Sequence, residues 1–157
     1  MNGKLVAGFL VVTALIAGAL IYWLQIYAFY SPLVLHDGVE LRLTPIGSDA
    51  PEVIAVEQFE GIDAASSPLR FRSCFSVPLS LATLTETYQL YQLADPLIAP
   101  GWFTCFDAAG IGEALKTGEA VAFLSEANIA RGVDRVIAVY PDGRAFAWHQ
   151  LNGSLEE

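Results

Sequence analysis

Charge is scarce in this sequence, and one long stretch lacks it entirely. Of the 157 residues, 54% are hydrophobic, only 16% are charged, and the mean hydropathy is +0.47. An ordinary soluble domain has roughly 25% charged residues. Between Lys4 and Asp37 there is no Asp, Glu, Lys or Arg. This composition excludes a disordered chain and disfavours a wholly soluble globule, and it divides the sequence into a neutral N-terminal segment and an acidic remainder.

Residues that bind metals and phosphates are also few. The sequence has two His (His36 and His149), a single Met at its start, and two Cys that lie 31 positions apart. It has no HExxH motif and no spacing of zinc ligands, and a copper site would need a close Cys pair with His and Met nearby. Gly110 and Gly112 belong to a Gly-rich pattern that lacks its third Gly and does not follow a strand. We therefore expect neither a metal nor a cofactor.

The neutral segment predicts a transmembrane helix over residues 5–30. Leu5–Leu24 is a run in which only Thr13 is polar when aromatic residues count as apolar, and about 20 such residues span the hydrocarbon core of a bilayer. Pro32 then ends the helix and favours extended geometry at Ser31. The aromatic residues at the C-terminal end fit an interface belt at the lipid headgroups; they are Tyr22, Trp23, Tyr27 and Tyr30.

The distribution of charge predicts the orientation of this helix. Residues 1–4 carry Lys4 and the α-amine, whereas the rest of the chain has seven basic and seventeen acidic residues, a net charge of −10. The positive-inside bias places residues 1–4 in the cytoplasm, and residues 39–151 then form a domain in the periplasm. We expect a linker over 31–38 and a frayed tail over 152–157. The alternative is a signal peptide cleaved at Ala17-Gly18-Ala19, which also predicts export.

Small residues recur along the predicted helix. Gly3 and Ala7 lie four positions apart, as do Ala14 and Gly18, so the members of each pair share a helix face. This spacing allows a neighbouring helix to approach closely. The alternative is that Gly and Ala are simply common in membrane helices.

Both cysteines, Cys74 and Cys105, lie in the exported part. Thiols in the periplasm are usually oxidised, so the pair predicts one disulfide. Closing a loop of about 30 residues is worth roughly 3–4 kcal/mol on the chain-entropy model. The aromatic residues that flank both cysteines suggest that the bridge is buried.

The exported part predicts a small α+β domain that ends in a β-hairpin. Val133–Tyr140 and Arg144–Leu151 are rich in β-formers, and the turn Pro141-Asp142-Gly143 joins them. Both strands have apolar residues on both faces, so we expect them near the centre of a sheet. We further expect strands over residues 39–44, 69–77 and 120–124. We expect a helix over 108–116 with Asp107 as its N-cap and Gly118 as its stop, a loop over 61–68 and a helical turn over 126–130. Residues 53–59 and 79–88 fit either a strand or a helix.

The search for catalytic residues finds only weak candidates. His149 could act as a general base with Ser66, Ser67 or Asp134, since catalytic groups converge in space rather than in sequence. A single His on a strand is more often structural. Two serines before Pro68 are more often a turn, and no nucleophile-elbow pattern surrounds them. We therefore expect no catalytic site.

Two pairs of charged residues have a binding interpretation. Arg70 and Arg72 would lie on the same side of their predicted strand, where they could bind a carboxylate or phosphate. Pairing with the many acidic side chains of the domain is the more conservative interpretation. Glu57 and Glu60 could share a helical face as paired carboxylates, although a solvated acidic face is the simpler interpretation.

The net charge of the exported part constrains its partners. A value of −10 argues against nucleic acid and against lying flat on an anionic membrane. It favours a basic soluble partner, of which a cytochrome c is one example.

Four segments carry a resemblance to a known family; they are Met1–Lys4 ahead of the helix, Ser66–Arg72, Gly101–Asp107 and Tyr140–Leu151. With these segments, nearly the whole chain resembles a small alphaproteobacterial family of single-pass membrane proteins of unknown function. Such sequences are sometimes labelled histidine kinase automatically. The residues do not fit that label, because His149 falls on a predicted strand outside the membrane and no Gly-rich nucleotide-binding domain is present. The resemblance brings no catalytic residues with it.

Three functional hypotheses follow, in order of preference. The first is a non-enzymatic, membrane-anchored periplasmic protein that serves as an accessory or assembly subunit of an inner-membrane complex, with a respiratory complex as one candidate. The second is a periplasmic ligand-binding or sensory module that uses Arg70 and Arg72. The third is an enzyme that uses His149.

Overall fold

The computed structural model describes residues 2–35 and 40–155 and shows an N-terminal helix followed by an α+β domain. The predicted fold class is confirmed. Helix α1 covers Gly3–Trp23, and a π-helical turn continues it over Leu24–Ala28. These 26 residues have a mean hydropathy of 2.4 and no buried side chain, so the helix fits a single membrane span. The helical segment ends at Ala28, two residues before the predicted end, because Pro32 disfavours helical geometry in the residues before it.

A six-stranded antiparallel sheet forms the centre of the domain. Its strands are β1 (Ser31–Leu33), β4 (Glu57–Asp63), β5 (Arg72–Ser76), β6 (Val121–Ala130), β7 (Val133–Val139) and β8 (Arg144–Leu151). They lie in the order β1-β4-β5-β8-β7-β6. A separate pair, β2 (Arg42–Leu43) and β3 (Glu52–Val53), packs beside the sheet. Helices α2 (Leu81–Thr87) and α3 (Ala108–Thr117) complete the domain.

The C-terminal hairpin and the two helices follow local sequence signals. Gly143 adopts φ 88°, and its N–H donates to the Tyr140 carbonyl at 3.0 Å, which closes the predicted turn. Strand β8 lies between β5 and β7, so the predicted central position is confirmed. Helix α3 starts after Asp107 and stops at Gly118 with φ 77°, as predicted, but the Asp107 side chain makes no capping hydrogen bond. The ambiguous segment 79–88 contains α2, which Ser80 caps by accepting from the Thr83 N–H.

Three local predictions are wrong. The predicted loop 61–68 begins as strand, because Gly61–Asp63 pairs with β1, and Gly61 and Ile62 also pair with β5. The predicted helical turn 126–130 is the bulged end of β6 and pairs with β7. The strand predicted over 69–77 is limited to Arg72–Ser76. In each case the pairing between strands decides the conformation, and the β-propensity of the segment by itself does not.

The segment between helix and domain also differs from its prediction. Residues 31–33 of the predicted linker form β1, which pairs with Gly61–Asp63 of β4. Of the strand predicted over 39–44, the described residues form only Arg42–Leu43 of β2. Leu41 and Leu43 are buried as the alternation predicts, but Thr44 is buried as well. Residues 36–39, which include His36, lie outside the described residues, as do residues 156–157 of the tail.

Both faces of the sheet are covered. On one face α2 and the β2–β3 pair enclose a core that includes Leu43, Phe71, Phe75, Leu84 and Phe123. On the other face α3 and the segment before it cover Trp148, Ile62, Cys74, Phe106 and Ile111. This arrangement explains why the central strands carry apolar residues on both sides.

Candidate functional site at the junction of helix and domain

The domain lies directly on the end of the helix. Only Phe29 and Tyr30 separate the helical segment from β1. The half-buried Arg70 donates to the main-chain carbonyl of Gln25 at 3.0 Å and to its side-chain carbonyl at 2.7 Å. Its guanidinium also lies 5.4 Å from the centroid of the Tyr30 ring. Because the last carbonyls of a helix have no partner within the helix, Arg70 joins the domain to groups that would otherwise need water.

Trp102 makes a second attachment to the helix end. Its indole N–H donates to the Ile26 carbonyl at 2.7 Å. Its ring stacks on Tyr27 at a centroid distance of 6.4 Å and meets Tyr30 edge-on at 5.9 Å. Two residues of the predicted interface belt therefore contact the domain, whereas Tyr22 and Trp23 remain more than half exposed.

Arg72 supports the loop that carries Trp102. The residue is only 4% exposed. It donates to the carbonyls of Leu97 at 2.7 Å and Ile98 at 3.3 Å, and also to those of Leu69 and Phe71. Burial lowers the pKa of its guanidinium to about 10. Arg72 thus supports the backbone of this loop from inside the domain.

The two arginines do not pair with acidic side chains as the net charge suggested. Among residues 2–35 and 40–155, neither Arg70 nor Arg72 forms an ion pair within 4.0 Å. Both donate to neutral carbonyl oxygens, because unpaired backbone acceptors at a helix end and in a loop need donors. Their use as ligand contacts remains a prediction.

The predicted disulfide is confirmed. Cys74 of β5 and Cys105 are bonded, with a Cα–Cα distance of 6.3 Å. Cys74 is buried and packs in the core that contains Phe103, Phe106 and Trp148. The bond attaches the segment before α3 to the centre of the sheet.

A polar row crosses the opposite face of the sheet. Arg135 donates to Glu126 at 2.7 Å and to Nε2 of His149 at 3.0 Å, and it lies 4.6 Å from the centroid of the Phe71 ring. Because Nε2 accepts, Nδ1 of His149 carries the proton and donates to the Pro68 carbonyl at 2.6 Å. Burial, with the positive charge of Arg135, lowers the pKa of His149 to about 3. His149 is therefore neutral at physiological pH, and both ring nitrogens are occupied.

The residues of the enzymatic hypothesis do not converge on His149. Ser66 and Ser67 lie in the turns between β4 and β5. Asp134 neighbours Arg135 on β7 and therefore faces the other side of the sheet, where it accepts from the Tyr91 hydroxyl at 3.1 Å. Within the described residues, His149 contacts Arg135 and the Pro68 carbonyl instead.

A small charged cleft lies in front of Arg135. It encloses about 310 Å³ and is lined by Leu33, Glu40, Arg42, Asp63, Phe71, Glu126 and Arg135. Arg42 pairs with Glu40 at 2.7 Å and approaches Glu126 at 3.8 Å. The lining residues come from distant parts of the chain, so no sequence motif marks the cleft. Its mixed charges suit a small polar ligand better than a simple anion.

A larger and open cleft of about 840 Å³ lies between α3, the start of β6 and the segment 90–98. Its lining is largely small or aliphatic, and the charged residues on it are Asp95, Glu113 and Lys116. Neither cleft is lined by Arg70 or Arg72. A concave surface of this kind can bind a ligand or a segment of another chain.

The remaining predicted site residues lie apart from these clefts. Glu57 and Glu60 belong to β4 and not to a helix, both are exposed, and the strand is irregular between them. The small residues Gly3, Ala7, Ala14 and Gly18 lie along the exposed surface of α1. Within the described residues, no three His, Cys, Asp or Glu side chains are grouped so that they could hold a metal ion.

The junction contains residues that sequence reasoning missed. They are Trp102 and Gln25, and no sequence motif marks either of them as a contact between helix and domain. The available signal was that Gln25 is the one amide side chain near the end of an otherwise apolar helix.

The comparisons with known proteins give one match. Residues 41–157 match the model of DUF6446, a family of unknown function. The match covers the folded domain from residue 41 onward and leaves out α1 and β1. No curated protein and no solved structure matches the chain.

Proposed function

This chain belongs to the DUF6446 family, and we propose that it is a membrane-anchored, non-enzymatic subunit that works by association. Its place would be as an accessory or assembly subunit of an inner-membrane complex, with a respiratory complex as one candidate. The observation that carries the proposal is the direct attachment of the domain to the helix end through Arg70 and Trp102.

A fixed junction serves association better than catalysis on a diffusing substrate. A domain on a flexible tether samples many orientations, and binding through one orientation then costs entropy. A domain held on its helix presents one face at one height above the membrane. A partner can then contact helix and domain together, and the second contact becomes intramolecular.

The surface of α1 supports a helical partner. At about 100° per residue, the four small residues fall within a sector of about 60°; they are Gly3, Ala7, Ala14 and Gly18. The opposite side carries bulky side chains, namely Leu5, Phe9, Ile16 and Leu20. One side thus suits close helix packing and the other suits lipid.

The location follows from charge and redox chemistry. Lys4 before the helix and the excess of acid after it support a cytoplasmic N-terminus through the positive-inside bias. The disulfide fits an oxidising compartment. We therefore assign the domain to the periplasm, in an alphaproteobacterium if the resemblance of the four segments extends to origin. The acidic surface would suit a basic soluble partner such as a cytochrome c, in which case binding weakens as salt is added.

A ligand-binding or sensory role is the second candidate. The charged cleft at Arg135 favours it, because it holds two guanidiniums and three carboxylates. Arg70 and Arg72 support it less, because their donors already bind carbonyls of the protein. A histidine kinase activity is disfavoured, since His149 is buried on a strand.

The test is to substitute one side of α1 and measure assembly. The full chain is solubilised from native membranes in a mild detergent, and its particle size is measured by native electrophoresis. We expect wild type to migrate well above the monomer, Ala14→Ile to shift most of the protein to the monomer, and Ala19→Ile to leave the assembly intact. Ala19 is the matched control because it lies about 140° away around the helix. A wild-type monomer, or equal behaviour of the two variants, would overturn the proposal.

A further inference from the structure

We propose that the loop 96–106 is a second membrane contact, which rests on the lipid surface where α1 leaves the bilayer. Ile98 and Trp102 would enter the boundary between headgroups and acyl chains. The inference concerns lipid alone and does not depend on any protein partner of the chain.

The loop lies at the level of the membrane surface. The 26 helical residues extend about 39 Å, which exceeds the roughly 30 Å of the hydrocarbon core. The last turn therefore reaches the headgroup region. Trp102 donates to Ile26 and stacks on Tyr27 within that turn, so it occupies the depth at which Trp and Tyr are enriched in membrane proteins.

The composition and exposure of the loop fit a lipid surface. Residues 96–106 carry no charge, although Asp95 and Asp107 flank them in a strongly acidic domain. The side chain of Ile98 is 85% exposed and Trp102 is 40% exposed. Ile98, which also lines the larger cleft, and Trp102 lie four positions apart in this uncharged loop, and exposed apolar residues in one segment suit an interaction surface.

The backbone of the loop is held in place, so binding to the membrane would lose little conformational entropy. Arg72 donates to the carbonyls of Leu97 and Ile98, and the disulfide attaches Cys105 to β5. Phe103 is buried between these attachments. Ile98 thus projects from a supported backbone, and a preorganised contact loses less entropy on binding.

The position and charge of the loop favour lipid over a second protein as its occupant. The loop continues the aromatic surface at the end of a helix that fits a membrane span. Arg70 lies beside it on the Tyr30 ring and adds a cation at the level of the lipid phosphates. The net charge of the domain repels anionic lipid, so attachment must depend on apolar burial and on zwitterionic headgroups.

Spin labelling of the full chain tests this contact. Because both native cysteines are bonded to each other, one introduced cysteine takes the label. Ile98→Cys is compared with Pro141→Cys, an exposed residue in the hairpin turn at the opposite end of the sheet from β1. Each protein is reconstituted into phosphatidylcholine vesicles, and collisions of the label with oxygen and with a water-soluble nickel chelate are measured.

We expect the ratio of oxygen to nickel accessibility to be several-fold higher at position 98 than at position 141. Equal ratios would overturn the inference and would leave a protein as the occupant of the loop. Because the vesicles contain no partner protein, this outcome is independent of the assembly measured with Ala14→Ile.

Discussion

At the scale of single residues, the buried polar groups act as structural supports. Arg72 is buried and Arg135 is partly buried beside the charged cleft, and each directs donors to fixed acceptors. His149 links Arg135 to the Pro68 carbonyl and stacks on Phe71 at a centroid distance of 4.5 Å. A buried, neutral histidine of this kind makes stability depend on pH.

The first prediction concerns His149. Its pKa is about 3 in the folded protein and about 6.5 in an unfolded chain. Above pH 6.5 the His149 side chain is neutral in both the folded and the unfolded state, so its contribution to the free energy of unfolding is fully present. As the pH falls below 6.5 the unfolded chain takes up a proton that the folded protein refuses, and stability is lost until about pH 3. Between pH 7 and pH 5 this residue should lower the free energy of unfolding by about 2 kcal/mol.

Urea unfolding of the full chain in detergent at the two pH values measures this loss. His149→Gln cannot titrate in this range and is the control. Between pH 7 and pH 5, the free energy of unfolding of this variant should fall by about 2 kcal/mol less than that of wild type. An identical pH dependence in both proteins would show that His149 is not kept neutral by the fold.

At the scale of elements, turn chemistry and strand pairing contribute differently. The hairpin of β7 and β8 forms as its sequence predicts, because Pro141 and Gly143 have the required backbone preferences. The bulged end of β6 does not follow its local sequence, because pairing with β7 extends it.

The second prediction compares two glycines with positive φ. Gly118 has φ 77° and nothing lies within 4 Å of an added Cβ. Gly143 has φ 88° and an added Cβ would lie 3.0 Å from the Val77 carbonyl oxygen. Gly118→Ala should lower the free energy of unfolding by about 1 kcal/mol through backbone strain alone. Gly143→Ala should cost about 1 kcal/mol more, because the Val77 carbonyl must also move.

Urea midpoints of the two variants and wild type provide this comparison. If the two substitutions lower the free energy of unfolding by the same amount, the close approach of the Val77 carbonyl to the turn does not add to the loss caused by Gly143→Ala.

At the scale of the whole molecule, the disulfide, Arg72 and the helix junction act on the same part of the domain. The Cys74–Cys105 bond ties the segment before α3 to the sheet, and Arg72 and Trp102 tie its neighbours to the sheet and to the helix. Loss of the bond should therefore affect both the stability of the domain and the order of the loop 96–106.

The third prediction is that replacing both cysteines with alanine lowers the free energy of unfolding by roughly 3–4 kcal/mol. The physical reason is that the unfolded chain gains the freedom of a loop of about 30 residues. Reduced wild-type protein serves as the control and should show a similar loss. A loss well under 1 kcal/mol in both would mean that the unfolded chain keeps these segments together without the bond.

The sequence alone determined those features whose cause is local. An uncharged run from Leu5 predicts the helix, because spanning lipid requires only length and apolarity. The hairpin, the start and stop of α3, and the pairing of two lone cysteines also follow from residues close together or from simple counting.

Tertiary structure alone decided the rest, because the cause lies far away in the chain. Residues 31–33 become a strand only because β4 offers them an edge, and Arg72 is buried only because the carbonyls of Leu97 and Ile98 lie above it. The contact of Trp102 with Ile26 joins residues that are 76 positions apart. No local preference specifies such contacts, since they depend on which groups remain without partners once the sheet has formed.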